Sequence, residues 1–560
     1  MTPVKQRLEA LTTLRFFAAS LIVIGHSDVI FGPFAAPRAA PFNQGVSFFF
    51  VLSGFILTWN YPALVNWQER RHFLVARFAR IWPLHFATCL LWIAIVFNFD
   101  RSIYFPGVDG LFKLLANLFL VQAWIPAHHW ALSFNGVSWS ISTELFFYLM
   151  FPLLMALWQK RWHQIFLMQA SIILTIILLA TIYAIPGESK DGKISLLTVL
   201  YFTPVVRILE FTVGIALAFA VRRVVLIDPQ FSRRQWLSLE LATVFIMTIS
   251  MLTASNLAGI RQTLGDPATF YFTSSGLCLF WALLIGVFAV SRGPIRDIFS
   301  LRVAVFLGEI SFSLYLCHAV VINYLENYKE HVQPYGTTGY AIFWMWCLLF
   351  AAILFIGIET PFRKFVLAIA SKKPSSKHAW LAVRVCFGFK EVFAIGVLIS
   401  MALAMMFLRP STIVTLDDAK VTQFMQPTAE SFDLSGGVIF NDKYEILGMK
   451  LQAPNKEKDI AEILVLMRVK EALRATDTLA LHTIGADGQM TGGFDRRLDK
   501  GRLEIPAGTR WIQKFEIPTA KLDQSSSFGL AMYATPDKLF DALGGNRDWG
   551  GKRLILPIER

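Results

Sequence analysis

The 560 residues are 55% hydrophobic, 14% aromatic and 16% charged. Globular chains carry about 25% charged residues, and a mean hydropathy of +0.52 excludes a wholly soluble, disordered or fibrous protein. The net charge of +13 suggests nucleic acid only until it is divided: from Ser411 onward there are 20 Lys+Arg and 21 Asp+Glu, whereas residues 1–410 hold 32 and 18. The basic excess lies in the apolar part, where it reports membrane orientation, and no nucleic-acid partner is expected.

Segments long enough to cross ~30 Å of hydrocarbon need about 17–25 apolar residues. They occur near 11–31, 44–61, 81–99, 139–158, 165–185, 205–222, 236–255, 272–291, 301–322, 338–358 and 391–408. The stretch Leu111 to Ile125 is short and contains Lys113, so it reads as a re-entrant element. With the N-terminus inside, the loops divide 23 basic residues against seven, as the positive-inside rule requires. Arg15 interrupts the first apolar run, which suits an uncleaved helix better than a signal peptide. The expected fold is an all-α polytopic membrane protein of about 11 transmembrane helices with one re-entrant element, then a small C-terminal extracytoplasmic β-sandwich. Its expected parts are a transmembrane domain over 1–370, a cytoplasmic linker and final helix over 371–410, and a β-rich domain over 411–560.

The last part is polar. Ile463, Val465, Met467 and Val469 alternate with Leu464, Leu466, Arg468 and Lys470, a half-buried strand pattern. Asp487-Gly488 is a hairpin dipeptide. The five cysteines (Cys89, Cys278, Cys317, Cys347, Cys386) show no metal-ligand spacing and read as inert buried thiols. No metal is expected.

A charge inside the membrane is costly and is a functional candidate by default. Arg15 and His26 stand eleven residues apart, about three turns, so they share a helix face ~16 Å apart along the axis. They read either as an anion-holding guanidinium below a general base, or as a snorkelling Arg and a packing His. In Ser138-Trp139-Ser140-Ile141-Ser142-Thr143-Glu144, Ser140 and Glu144 are i,i+4 neighbours. Glu144 can accept a proton, orient a histidine or bind a sugar hydroxyl, or the segment can be a hydroxyl-capped helix start. Arg77 and Arg80 present two guanidiniums suited to phosphate, or anchor a cytoplasmic loop. Arg207 and Glu210 are spaced to pair, and Ser311, Tyr315 and His318 follow one helix face. Glu359-Thr360-Pro361, with Arg363 and Lys364, reads as a cytoplasmic anchor.

Taken together, these residues resemble the membrane acyltransferase-3 family, O-acyltransferases that modify bacterial polysaccharides. The carrying pieces are Leu14-Arg15 to His26, Gly45 to Phe55, Arg77 to Pro83, Ser138 to Glu144 with Phe147-Tyr148 and Pro152, Arg207 to Gly214, Leu307 to His318, and Glu359 to Arg363. They cover about residues 8–370. The resemblance implies a donor, usually acetyl-CoA, as co-substrate from the cytoplasmic side, with no permanently bound cofactor. It implies a hydroxyl acceptor, commonly a sugar of O-antigen, exopolysaccharide or another envelope glycan, and residence in the bacterial cytoplasmic membrane with the C-terminal domain outside. Arg15 and His26 map onto the family's essential pair, Arg77 and Arg80 onto its basic donor loop, and Glu144 and His318 onto matching positions. Glu144 joins His26 and Arg15 as a catalytic candidate, and Ser138, Trp139, Ser140, Arg207, Glu210, Tyr315 and His318 fall to acceptor binding or support.

The tail departs from the better-known family architecture. No Gly-Asp-Ser stands in 411–560, and Tyr444 to Ile517 is faintly similar to non-catalytic β-sandwiches on envelope glycan enzymes. A transporter or lipid-linked glycan exporter is the rival class, for which the buried charges would line a gated path. A membrane-anchored glycan binder is a third.

Overall fold

The computed structural model describes residues 8–32, 42–95, 108–187, 194–255, 266–371, 388–407, 411–428, 431–432, 434, 438–455, 459–473, 477–499, 504–534 and 538–558. The chain divides into Met1–Ala402, which is helical, and Leu403–Arg560, which is mostly strand.

The helical unit runs α1 (Glu9–Phe31), α2 (Gln44–Asn60), α3 (Trp67–Ile95), α4 (Val108–Leu118), α5 (Trp139–Ile182), α6 (Pro204–Ile227), α7 (Arg233–Ser255), α8 (Asp266–Ser275), α9 (Cys278–Val290), α10 (Pro294–Phe299), α11 (Arg302–Glu309), α12 (Ser311–Glu326), α13 (Gly336–Leu354), α14 (Thr360–Ser371) and α15 (Phe389–Phe407). Among the described residues, seven helices are long and apolar enough to cross a membrane, eight if the bent pair α11 and α12 is one span. All eleven apolar segments read from the sequence lie mainly in helix, but the expected count of 11 spans is not reached among the described residues. Segments 139–158 and 165–185 are two helices that meet at a kink at Arg161, whose backbone is non-helical, and together make up α5. The α2 helix, at 17 residues, is short for a span, and 391–408 corresponds to α15. At 11 residues, or about 16 Å, α4 cannot cross; its Lys113 pairs with Asp109 at 3.0 Å. Exposed Leu149, Leu153, Leu167, Leu174 and Leu178 along α5 are the surface that lipid covers. Four cysteines are buried and free; Cys386 lies outside the described residues.

Two close approaches position the site. A Cβ on Gly54 would stand 2.0 Å from the Phe211 carbonyl oxygen, and one on Gly214 2.0 Å from that of Val51, so α2 and α6 touch backbone to backbone, as small residues permit between membrane helices. Likewise a Cβ on Gly308 would lie 1.9 Å from the Thr12 carbonyl oxygen, so α11 presses against α1. The chain then bends 55° between α11 and α12, and α12 continues alongside α1.

The C-terminal unit is all-β apart from two short helices. Its two antiparallel sheets have orders β6-β3-β2-β1-β8 and β5-β4-β7-β10-β9, where β1 is Val438–Phe440, β2 Tyr444–Asn455, β3 Ile460–Val469, β4 Thr478–Ile484, β5 Met490–Arg497, β6 Arg510–Pro518, β7 Ser527–Tyr533, β8 Ala542–Leu543, β9 Arg547–Asp548 and β10 Arg553–Pro557. Ile463, Val465 and Met467 of β3 join Leu479 and Leu481 of β4 and Phe528 and Leu530 of β7 in one core. The alternation read in the sequence is this inward row.

Gly214→Ala must separate α6 from α2, an overpacking cost of about 1–3 kcal/mol. Heated detergent extracts followed by size exclusion should show earlier loss of the monodisperse protein. Gly396→Ala, whose Cβ meets nothing within 4 Å, should match the parent.

Candidate active site

Two cavities meet inside the helical unit. With the end of α1 that bears Arg15 taken as inner, the inner one, about 170 Å³, is lined by Arg15, Ser53, Arg77, Arg80, Ser140 and Glu144 among others; the outer one, about 670 Å³, includes His26, Asp28, Trp139 and Tyr201. Val46 and Tyr315 line both and so form a shared wall. The Tyr315 hydroxyl donates to the Val137 carbonyl at 2.8 Å and bonds Ser140 Oγ at 2.7 Å, which ties α12 to the start of α5.

The inner cavity is cationic. Three guanidiniums face one lining carboxylate, Glu144. Ser53 donates to Glu144 at 3.2 Å, and Tyr148, one turn on, donates to the same oxygen. Arg80 is held by an ion pair with Glu359, whose other oxygen accepts from Ser313 at 2.7 Å. The Arg77 guanidinium lies 5.8 Å from the Tyr61 ring centroid, and its Nε has no partner. Arginines in this arrangement suit a multiply charged phosphate ligand.

At the outer cavity His26 Nδ1 lies 2.9 Å from His318 Nε2, and His318 Nδ1 lies 3.1 Å from the Leu314 carbonyl. A carbonyl only accepts, so His318 carries its proton on Nδ1 and offers Nε2 as an acceptor. His26 must then donate from Nδ1, which leaves Nε2 with its lone pair. This tautomer follows from the hydrogen-bond chain. The arrangement leaves His26 Nε2 able to accept a proton, with His318 hydrogen-bonded to the other ring nitrogen.

Several expectations change. Arg15 and His26 do share α1, but they line different cavities on either side of the Val46–Tyr315 wall. Glu144 stands with Arg15 in the inner cavity, not beside the histidine; three helical turns separate the levels, and His318 is the partner instead. Ser138 makes no side-chain cap of α5: it is fully buried and bonds Asn117 at 3.5 Å, while Gln122 donates to it at 3.2 Å. Ser140 reaches the inner cavity and Trp139 the outer, where its ring packs 4.8 Å from Tyr201. Arg207 and Glu210 pair at 3.2 Å, with 0% and 1% side-chain exposure, and bond Ser47, Ser274 and Ser275; neither lines either of these two cavities, and the pair ties α6 to its neighbours. Sequence reasoning missed Ser53 and Asp28. It also missed Tyr148 as Glu144's donor, although the i,i+4 spacing was visible, and it took Glu359 for an anchor.

The model of a family described as an acyltransferase domain, acyltransferase-3, matches residues 8–359. The chain belongs to the acyltransferase-3 family. It is 30% identical over 356 residues to the acyltransferase MdmB of Streptomyces mycarofaciens, covering 61% of this chain and 85% of that protein. To the O-acetyltransferase OatA of Staphylococcus aureus it is 26% identical over 389 residues, covering 64% and 57%. The putative O-acetyltransferase SACOL0978 of the same organism is 25% identical over 356 residues, with 59% and 54% covered. The match thus spans little more than half of these staphylococcal proteins. No solved structure matches the chain.

His318→Ala removes the acceptor that fixes His26, and kcat should fall roughly 10²-fold, within the range of acid–base catalysis. His318→Gln, whose side-chain oxygen can accept, should recover part of that loss; equal defects in both variants would argue against tautomer control. Arg207→Gln leaves Glu210 unpaired, a cost of about 3–5 kcal/mol, so it should lower the yield of folded protein while the donor KM of the surviving fraction holds.

Proposed function

We propose that the protein is a membrane O-acyltransferase that moves an acyl group, acetyl in the simplest case, from cytoplasmic acyl-CoA to a hydroxyl of an envelope or exported glycan. The observation that carries this reading is the His26–His318 pair, with a free basic nitrogen on one cavity and an arginine-lined cavity behind a shared wall. Family membership supports the reaction class.

Arg77 and Arg80 hold the donor's phosphates, and Glu359 and Glu144 fix their surroundings. The pantetheine arm extends past Arg15 towards the Tyr315–Val46 wall and brings the thioester carbonyl near His26. The acceptor hydroxyl enters from the outer cavity. Its proton passes to His26 Nε2, its oxygen bonds the carbonyl carbon, and the C–S bond breaks to release the CoA thiolate, which takes that proton from His26 and leaves the imidazole neutral again. Positive charge developing on His26 is met by the His318 lone pair, and behind it by the Leu314 carbonyl. The β domain is read as an extracytoplasmic glycan-positioning part, and the membrane as the bacterial cytoplasmic membrane with the N-terminus inside.

Membranes supplied with radiolabelled acetyl-CoA should pass label into glycan, and His26→Ala should abolish this although the protein still inserts. Labelling that persists in His26→Ala sinks the assignment, and a glycan exporter would yield no label at all. The Arg77→Ala/Arg80→Ala variant should raise the donor KM by about tenfold or more, with a smaller drop in kcat.

A further inference from the structure

The two cavities that share Tyr315 and Val46 carry opposite charge. The inner lining sets Arg15, Arg77 and Arg80 against Glu144. The outer lining holds Asp28 and Glu326, with no lysine or arginine among the described residues. Asp28 Oδ1 has no hydrogen-bond partner, and no described residue forms a salt bridge with either carboxylate. Around them stand the amides Asn43 and Asn323 and the rings of Trp139 and Tyr201, in the same cavity as His26.

We infer that this outer cavity selects an acceptor sugar that carries no carboxylate or phosphate near its reacting hydroxyl, and that Asp28 and Glu326 are the specificity-determining residues. The inference rests on the acyl-transfer reading above. An ionised carboxylate only accepts hydrogen bonds, several per group, and a neutral sugar offers hydroxyl donors to satisfy them. Aromatic rings pack against the apolar face of a pyranose. An acidic sugar would instead set like charges together at short range, where the repulsion is about 1 kcal/mol in water and about 4 kcal/mol near a protein surface at 4 Å. The same carboxylates repel the donor's phosphates, so each substrate is steered to its own cavity.

The test uses the purified full-length protein in proteoliposomes with labelled acetyl-CoA and two matched oligosaccharides, one neutral and one bearing uronic acids. The parent should favour the neutral acceptor in kcat/KM by roughly tenfold or more. Asp28→Asn/Glu326→Gln keeps side-chain shape and should shrink that ratio to about threefold or less, chiefly through better use of the acidic acceptor; each single variant should fall between. Equal use of both acceptors by the parent, or an unchanged ratio in a folded double variant, overturns the inference while leaving acyl transfer intact. Label that reaches neither acceptor, or that survives His26→Ala, overturns the transfer reading and this inference with it.

Discussion

The contact on which the site depends is the approach of α1 to the bent α11–α12 segment. Gly308 lets that backbone lie against Thr12, and the 55° bend that follows carries α12 up the side of α1. Only from there can His318 reach His26, a partner 292 residues away in the chain. One side chain at Gly308 would push the two elements apart at their base, and the histidines near the top would lose register. A hydrogen bond of 2.9 Å tolerates little of that, because such bonds weaken steeply with distance and angle.

The same α12 supplies Tyr315 to the wall and Ser313 to Glu359. Three positions of one helix, Ser313, Tyr315 and His318, therefore serve three neighbours: the Glu359 that holds Arg80, the partition, and His26. Rigid positioning of this kind is what catalysis of group transfer asks of a scaffold, since small displacements of reacting groups are expensive. The α2–α6 contact through Gly54 and Gly214 plays a similar part below, where it holds Ser53 within reach of Glu144.

Much of this is legible in the sequence alone. Hydrocarbon thickness forces long apolar runs, so the helices announced themselves, and the break read at Lys160-Arg161 is a kink at Arg161 between the two helices of α5. Arg15, His26, Arg77 and Arg80 stood out because charge in an apolar setting is rare, and the Arg207–Glu210 spacing did predict a pair. What spacing cannot give is the partner on another helix. An i,i+4 pattern tells which face Glu144 occupies and not that Ser53 lies opposite; likewise nothing local joins His26 to His318 or Arg80 to Glu359. Those pairings are set by which helices neighbour each other, a property of the whole bundle.

The partition made by Tyr315 and Val46 has a bearing beyond chemistry. A protein open from both faces of an energised bilayer would short-circuit the ion gradient that the cell maintains across it. Here the two vestibules end on a phenol ring tethered at its hydroxyl by Val137 and Ser140 and on an aliphatic neighbour. Among the residues that line the two cavities, Tyr315 and Val46 are where the one gives way to the other.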